Sequence, residues 1–371
     1  MGTSHSEAEQ VSALLRIGLG AVLIYQGLVP RLLAPSPQLL GGTHLAVAGV
    51  PADDAATGFE KEISESVRRF ERSGIRMIRG SHLDKEERLL CPHCDPGMRN
   101  SERKAHEYAS GSFRVVTGGS RGIGKAIAHA LAGQGAKVAI CSRDGEAVRA
   151  AAHEISPGGG RILAMQADVT STTDVRTMVR DVVARWGQIH ILVNNAGINA
   201  RIPIDSDDEA RWLEVLNVNV IGTYRVTREV LRHMPSRSQP DGRVPGGRII
   251  NISSVLGRFG VPAYTAYCAA KHGIIGFTRA LALEVVDRGI TVNAICPGWV
   301  ETDMAALGMR ETSAATGMTA EEFRKQALAA VPIRRILEPK EIADLVVYLA
   351  SDASAGMTGQ AINICGGQVM S

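Results

Sequence analysis

The stretch Thr117-Gly118-Gly119-Ser120-Arg121-Gly122-Ile123-Gly124 follows an apolar run, Phe113–Val116, and opens a helical pattern that continues to Gln134. A strand, a glycine-rich turn and a helix in this order are typical of the first unit of a parallel sheet. Gly118 permits a sharp turn, Gly122 lets the backbone approach a diphosphate, and Gly124 allows close helix packing. The free N–H groups at the helix N-terminus attract phosphate. The stretch therefore predicts a nucleotide-binding turn, with an ordinary glycine-rich turn as the alternative.

Six further apolar segments continue this alternation towards the C-terminus. They are Lys137–Cys141, Arg161–Met165, Ile189–Val193, Arg248–Ile252, Ile290–Ile295 and Ala361–Ile364. Helical patterns lie between them, so right-handed crossovers are expected to join parallel strands. The sequence predicts an α/β fold: a Rossmann-type doubly wound parallel sheet of about seven strands with helices on both faces.

Composition separates this part of the chain from an N-terminal extension. The 371 residues are 45% hydrophobic and 21% charged, which excludes a wholly disordered chain. With 41 basic and 38 acidic residues the net charge is only +3, so nucleic acid is not expected as a partner. We expect residues 111–371 to form the catalytic domain and residues 1–110 a partly helical extension of unknown role.

The extension contains an apolar segment, Val11–Ala34, and a charged amphipathic pattern, Phe59–Arg72. The words LLRIGLGAVLIYQGLVPRLL resemble the start of a DoxX-like membrane protein, but the run between Arg16 and Arg31 is shorter than the about 20 residues of a membrane span. A loosely attached helix is favoured over a membrane anchor. The acidic leading segment is unlike a secretory signal, and the scattered cysteines indicate a reducing, cytoplasmic location.

Cys91 and Cys94 form a C-x-x-C pair in the extension. The pair matches the tetrapeptide of thiol oxidoreductases, and it could also form half of a zinc site with His82 or His106. Because no second C-x-x-C and no surrounding βαβ unit accompany the pair, no metal site is predicted.

Five ordered motifs in residues 113–371 together resemble the short-chain dehydrogenase/reductase family. They are the TG-x-x-x-G-x-G turn at Thr117, Asn194-Asn195-Ala196-Gly197, Asn219 in N-x-x-G, Tyr267-x-x-x-Lys271 with Ser254 upstream, and Pro297-Gly298 with Thr302 beyond. The resemblance implies an enzyme that transfers hydride between a nicotinamide cofactor and a carbonyl or alcohol. The alternative outside the enzymes is a non-catalytic NADP-binding protein or a membrane-tethered interaction protein.

The resemblance also implies a set of cofactor contacts. They are Thr117, Gly118, Ser120, Arg121, Gly122, Ile123, Gly124, Ser142, Arg143, Asp168, Val169, Asn195, Ala196, Gly197, Tyr267, Lys271, Pro297, Gly298, Val300 and Thr302. An acid after the second strand would bind the free 2′-hydroxyl of NAD, but this chain has Ser142 and Arg143 there. Arg143 and Arg121 are suited to a 2′-phosphate, so NADP(H) is the predicted cofactor.

The family pattern assigns catalysis to Asn219, Ser254, Tyr267 and Lys271. Ser254 would orient the substrate oxygen, Tyr267 would protonate it, Lys271 would hold the ribose, and Asn219 would fix a relay water. A tyrosine acting near neutral pH needs a lowered pKa, and we expect Lys271 with an oxidised nicotinamide to lower it. Ser253 and Asn217 are excluded by spacing.

The segment from Trp299 to about Arg335 corresponds to the family's substrate lid. Its length favours a substrate larger than a simple alcohol. The words KHGIIGFTRALALE and GITVNAICPGWVETDMA resemble 3-oxoacyl and aromatic polyketide ketoreductases. We therefore expect a small-molecule carbonyl substrate bound to a carrier or to CoA, with a polyol or secondary alcohol as the alternative. The family's long helices, here Asn219–Met234 and Ala263–Glu284, imply a homotetramer or dimer.

Overall fold

The computed structural model describes residues 113–236 and 246–370. The predictions for the N-terminal extension fall outside these described residues, namely Val11–Ala34, Phe59–Arg72 and the Cys91–Cys94 pair. Residues 237–245 also lie outside the described part of the chain. Among the described residues, no helix is long and apolar enough to cross a membrane.

Strands and helices alternate along the described chain, as the hydrophobic pattern predicts. The strands are β1 (Phe113–Thr117), β2 (Lys137–Ser142), β3 (Ile162–Gln166), β4 (Ile191–Asn194), β5 (Arg248–Ile252), β6 (Thr291–Pro297) and β7 (Ala361–Ile364). The helices are α1 (Gly122–Gly133), α2 (Gly145–Ile155), α3 (Thr172–Trp186), α4 (Glu209–Leu216), α5 (Thr223–Leu231), α6 (Thr265–Val285), α7 (Asp303–Thr316), α8 (Ala320–Ala329) and α9 (Pro339–Leu349).

The seven strands form one sheet in the order β3-β2-β1-β4-β5-β6-β7, and every neighbouring pair is parallel. The order reverses between β1 and β4, which is where a doubly wound sheet opens a crevice at its carboxyl edge. The predicted Rossmann-type fold is confirmed.

Each face of the sheet is covered by a layer of helices. Val115 of β1 faces a core completed by α3, α5 and α6, with Met178 and Val226 among its buried side chains. Val116 faces the opposite core, completed by α1, α2 and α9, with Ile127 among its side chains. Adjacent residues of one strand point to opposite faces, so two apolar residues in succession serve two cores.

The helix predicted to start at Asn219 differs from the structure. The helical stretch starts ten residues earlier, at Glu209, and passes through a π-helical turn, Asn217–Gly222, before it continues as α5. The turn therefore places Asn219 in mid-helix. The hydrophobic period of an α-helix gives no signal for a π turn, which is a frequent feature of functional sites.

Candidate active site

The glycine-rich turn is held tightly against the loop that follows β4. Gly118 has a φ of +65°, and a Cβ there would lie 2.9 Å from the Cα of Ala196. A Cβ on Gly124 would lie 2.2 Å from the carbonyl oxygen of Gly118. Gly124 thus allows α1 to pack on the turn itself rather than on the sheet. Thr117 is buried below the turn, where its Oγ1 accepts hydrogen bonds from the N–H groups of Asn195 and Ala196, both at 3.0 Å.

The N-terminus of α1 opens into a groove suited to a dinucleotide. Its N-cap residue, Arg121, makes no side-chain cap, and no acid lies in the first turn. The first N–H groups of a helix have no partner inside it, and they attract anions. The groove has a volume of about 600 Å³. Its walls include these predicted cofactor residues: Gly118, Ser120, Arg121, Gly122, Ile123, Gly124, Ser142, Arg143, Asp168, Val169, Asn195, Ala196, Gly197 and Thr302.

The end of β2 leaves the groove without an acid at the position that would bind a ribose hydroxyl. Ser142 and the exposed Arg143 line the groove there. The next residue, Asp144, caps α2, and its Oδ1 accepts hydrogen bonds from the N–H groups of Glu146 and Ala147 at 3.0 Å. Asp144 is not among the residues of the groove wall, so the charged side chain that lines the groove at the end of β2 is that of Arg143.

Loops after β3 and β4 form the opposite wall. Asp168 Oδ1 accepts hydrogen bonds from the N–H and hydroxyl of Thr170, at 2.8 and 2.7 Å, which fixes this loop. Asn195 Nδ2 donates to the carbonyl oxygens of Thr117 and Gly118, at 2.9 and 3.1 Å. The Asn195 side chain therefore braces the glycine-rich turn rather than projecting into the groove.

Tyr267 and Lys271 lie one turn apart on α6, close to the carboxyl end of β5. Lys271 Nζ lies 5.4 Å from the centroid of the Tyr267 ring and donates a 2.9 Å hydrogen bond to the carbonyl oxygen of Ile252. The hydroxyl of Ser254 hydrogen-bonds the Tyr267 side chain. The structure thus brings together the hydroxyl, phenol and ammonium groups that the motif spacing predicted.

Burial dominates the ionisation of both side chains on α6. It lowers the pKa of Lys271 to about 8. It raises the pKa of Tyr267 to about 12, partly offset by the hydrogen bond to Ser254. The lowering of the Tyr267 pKa by Lys271 with an oxidised nicotinamide stays a prediction; in the polypeptide by itself the pKa is raised, because desolvation of the phenolate outweighs the stabilising contacts. A raised pKa keeps Tyr267 protonated, as a proton donor requires.

The structure separates the two adjacent serines. Ser253 Oγ donates a 2.9 Å hydrogen bond to the carbonyl oxygen of Lys271 and is buried. Ser254 Oγ accepts the N–H of Leu256 at 3.1 Å and contacts Tyr267. Ser253 therefore ties α6 to the end of β5, while the hydroxyl of Ser254 is directed to the Tyr267 side chain.

Asn219 is tied to the loop after β4. Its Oδ1 accepts the N–H of Ile198 at 3.0 Å, and its Nδ2 donates to the carbonyl oxygen of Ile198 at 2.8 Å. A Cβ on Gly197 would lie 2.5 Å from Asn219 Oδ1 and 3.7 Å from Lys271 Nζ. The Asn219 amide thus positions the loop beside Lys271 through both of its polar atoms, while its main-chain carbonyl oxygen accepts the hydroxyl of Thr223 at 2.8 Å.

A second, mostly apolar cavity of about 230 Å³ adjoins the groove. Ser254, Tyr267 and Lys271 line it, and so do the predicted residues Pro297, Gly298, Val300 and Thr302. Aromatic side chains form much of the wall, and Trp299 meets Phe323 of α8 edge to face, with centroids 6.5 Å apart. The predicted lid segment consists of α7 and α8. Thr302, Ile123 and Gly197 border both cavities, so the two join beside the catalytic side chains.

Several residues at the site were not predicted from the sequence. Asn199 borders both cavities, and its buried Oδ1 has no hydrogen-bond partner within the described part of the chain. Arg211 and Arg310 line the nucleotide groove. Isolated polar residues in helices and loops carry no sequence signal of this kind, because the fold alone brings them to the groove.

A buried polar chain beneath the site was also missed. Asn194 Nδ2 donates to Thr227 Oγ1 and to Asn251 Oδ1, and Asn251 Nδ2 donates to Thr278 Oγ1, each at 2.9 Å. The chain links α5 to α6 through β4 and β5. The unusual asparagines inside two apolar strands were the available signal, since a buried amide needs partners.

Comparison with known proteins agrees with this geometry. The family described as enoyl-(acyl carrier protein) reductase matches residues 118–368. The chain belongs to the short-chain dehydrogenase/reductase family. It is 40% identical over 255 residues to a putative ketoacyl reductase of Streptomyces coelicolor, covering 68% of this chain and 95% of that protein.

Two further relatives of this short-chain dehydrogenase/reductase are similar over the same region. It is 37% identical to the 3-oxoacyl-(acyl-carrier-protein) reductase FabG of Vibrio cholerae, covering 70% of this chain and 98% of that protein. The structure of an actinorhodin polyketide ketoreductase variant with NADPH has a TM-score of 0.64 and 39% identity, covering 70% of this chain and 98% of that one. Membership of this family makes the protein an oxidoreductase.

Proposed function

We propose that the protein is an NADP(H)-dependent ketoreductase that reduces the carbonyl of a 3-oxoacyl thioester or polyketide to a secondary alcohol. One observation carries the proposal: Ser254, Tyr267 and Lys271 meet where the nucleotide groove joins the apolar cavity. The names of the ketoacyl and 3-oxoacyl reductase relatives support this substrate class.

The groove fits NADP(H) in shape and in charge. Gly118 and Gly124 let the turn pack closely on the β4 loop, and the uncapped N-terminus of α1 borders the groove beside the turn. Arg121 and Arg143 line the groove, and Asp144 is engaged as a helix cap. The NADPH in the actinorhodin ketoreductase structure supports the same choice.

When bound, the nicotinamide supplies the hydride. Ser254 Oγ donates a hydrogen bond to the substrate carbonyl oxygen and orients it. Tyr267 donates its phenolic proton to that oxygen, and its raised pKa ensures that the proton is present. Lys271, anchored to Ile252, is placed to hold the ribose and to return a proton to Tyr267. Asn219 acts as a positioning residue through Ile198.

NADPH oxidation by the purified chain tests this function. We expect turnover with acetoacetyl-CoA, and none with crotonyl-CoA, because Ser254 and Tyr267 would bind and protonate the oxygen of the carbonyl that hydride attacks, and crotonyl-CoA has no 3-oxo group. The apolar cavity disfavours polyols, which serve as a second control. Tyr267→Phe should abolish turnover and leave NADPH binding intact, since it removes only the proton donor. Wild-type rates in this variant, or activity confined to crotonyl-CoA, would contradict the proposal.

We propose that residues 111–371 are the catalytic domain. The family match, at residues 118–368, and the described fold both lie within it. Removing residues 1–109 should leave kcat for acetoacetyl-CoA within about twofold, because the site is built from later residues. Loss of soluble, active protein would show instead that the extension is part of the enzyme.

We further propose a homo-oligomer located in the cytoplasm. Large apolar side chains are exposed on the π-helical turn and α5, at Ile221 and Tyr224, and at the end of α6, at Leu283, which is 79% exposed. A second copy would cover them. The cysteines of the described residues are unpaired, as in a reducing compartment. Light scattering during size-exclusion chromatography tests the assembly, and a monomer would refute it.

A further inference from the structure

One carboxylate at the edge of the nucleotide groove holds two arginines from different parts of the fold. Glu214 Oε1 lies 3.9 Å from Arg143 Nη1, in the loop after β2. The other oxygen of Glu214 pairs with Arg211, one turn earlier on α4. Both arginines line the groove, and Glu214 is not among the residues of its wall.

Arg211 is on the face of α4 that borders the nucleotide groove. Arg211, Val215 and Val218 follow each other at helical spacing, and Val218 also lines the groove. Arg143 comes from the opposite side, at the end of β2. Since both guanidinium groups contact the same carboxylate, they lie close enough to bind one small dianion together. A similar ion pair on α5 and the residue after it lies outside the groove: Arg232 contacts Glu229 at 2.7 Å, and neither residue lines the groove wall.

We propose that Arg211 is a further ligand of the adenosine 2′-phosphate, beside the predicted Arg143 and Arg121. Glu214 is the internal counter-ion that holds the two guanidinium groups in place until the phosphate replaces it. A phosphate dianion can accept hydrogen bonds from two guanidinium forks at once, which a carboxylate does less completely. The inference rests on the proposed use of NADP(H), and it adds a residue that the family motifs do not contain.

The half-exposed position of these side chains sets the expected size of the effect. The side chains of Arg143, Arg211 and Glu214 are 57%, 40% and 37% exposed. Solvent and salt therefore screen the attraction. We expect Arg211 to change phosphate-dependent affinity by about tenfold, and this difference to shrink as the salt concentration rises.

The affinities of the full chain for two nucleotides separate the contribution of the 2′-phosphate from that of the rest of the ligand. The probes are adenosine 2′,5′-bisphosphate, which carries the 2′-phosphate, and 5′-AMP, which lacks it. Arg211→Ala should weaken the bisphosphate about tenfold and leave 5′-AMP within about twofold. Arg232→Ala, which breaks a similar helical pair outside the groove, should change neither. Equal weakening of both nucleotides, or of neither, would overturn the assignment of Arg211.

Glu214→Gln tests the counter-ion. The variant keeps the shape of the side chain and removes the charge that competes with the phosphate, so the bisphosphate should bind about threefold more tightly. Weaker binding would overturn this role. If the wild-type chain binds no bisphosphate, the proposed NADP(H) preference fails. If the wild-type chain binds the bisphosphate and reduces acetoacetyl-CoA, but Arg211→Ala leaves the affinity for the bisphosphate unchanged, only the assignment of Arg211 fails.

Discussion

The ammonium group of Lys271 donates a 2.9 Å hydrogen bond to the main-chain carbonyl oxygen of Ile252. Ile252 is the last residue of β5, and Lys271 is in the second turn of α6. This contact, together with the bond from Ser253 to the Lys271 carbonyl, connects the helix that carries Tyr267 to the strand that precedes Ser254. The reacting groups are thus positioned by the joint between one strand and one helix.

Alanine substitutions at the two neighbouring serines should have different consequences. Ser254→Ala removes a donor at the substrate oxygen and should lower kcat/KM for acetoacetyl-CoA by about 10²-fold. Because it also removes the acceptor of the Leu256 N–H, it should lower the free energy of unfolding by about 1 kcal/mol. Ser253→Ala removes a buried hydrogen bond and should lower the free energy of unfolding by about 1–3 kcal/mol. Steady-state kinetics and urea unfolding of both variants measure this. The same activity loss without destabilisation in Ser253→Ala would show that the roles are misassigned.

The lowered pKa of Lys271 predicts a pH dependence of stability. Its pKa is about 8 in the folded chain, against an ordinary value of 10.5. Between these values the unfolded chain binds more protons, so this group makes the free energy of unfolding rise with pH, by about 3 kcal/mol in all.

Lys271→Met should remove that contribution. Urea unfolding of the wild type and of Lys271→Met from pH 7.5 to pH 10 measures how the difference between their free energies of unfolding changes with pH. The buried thiol of Cys141, whose pKa is raised, favours the unfolded state as the pH rises, but it does so in both proteins and cancels. The thiol of Cys296 interacts with Lys271, so the comparison is made with Cys296→Ala present in both proteins. Parallel pH profiles for wild type and Lys271→Met would refute the lowered pKa.

The buried polar chain through Asn251 should be important for stability. Asn251→Ala removes hydrogen bonds to Asn194 and Thr278 and leaves their polar groups unsatisfied in the core. We expect a loss of about 2–4 kcal/mol in the free energy of unfolding. Thr278→Val, which keeps the volume and removes the end of the chain, should cost less. A change below about 0.5 kcal/mol for Asn251→Ala would mean that the chain contributes nothing.

Ala263 has a left-handed backbone conformation immediately before α6, with a φ of +65°. Its carbonyl oxygen accepts the N–H of Ile202 at 2.7 Å, which holds this conformation. Ala263→Gly should raise the free energy of unfolding by about 1 kcal/mol, because glycine adopts this conformation without the Cβ penalty. Thermal and urea unfolding give the size of the change.

Ala280→Gly serves as the matched control, since Ala280 is exposed within α6. The same change there should lower the free energy of unfolding by about 1 kcal/mol. Destabilisation of similar size at both positions would show that residue 263 is not strained.

Local patterns predicted the positions of the strands and the residues proposed for the site. The turn from Thr117 to Gly124 and the spacing of Ser254, Tyr267 and Lys271 are short-range features, so one sequence carries them. Glu214 between Arg143 and Arg211 could not be predicted. It joins a loop and a helix about 70 residues apart in the chain, and only their packing on the same sheet edge brings them together.

The sequence by itself determined the alternation of seven strands with helices, the glycine-rich turn and the choice of Tyr267 and Lys271. These depend on periodicity and spacing within single elements. Only the tertiary structure decided that Ser253 ties α6 to β5 while Ser254 contacts Tyr267, that the Asn219 amide holds Ile198, and that burial shifts the pKa of Tyr267 upwards and that of Lys271 downwards. Each of these depends on which atoms from distant segments surround the side chain, and on how much water they exclude.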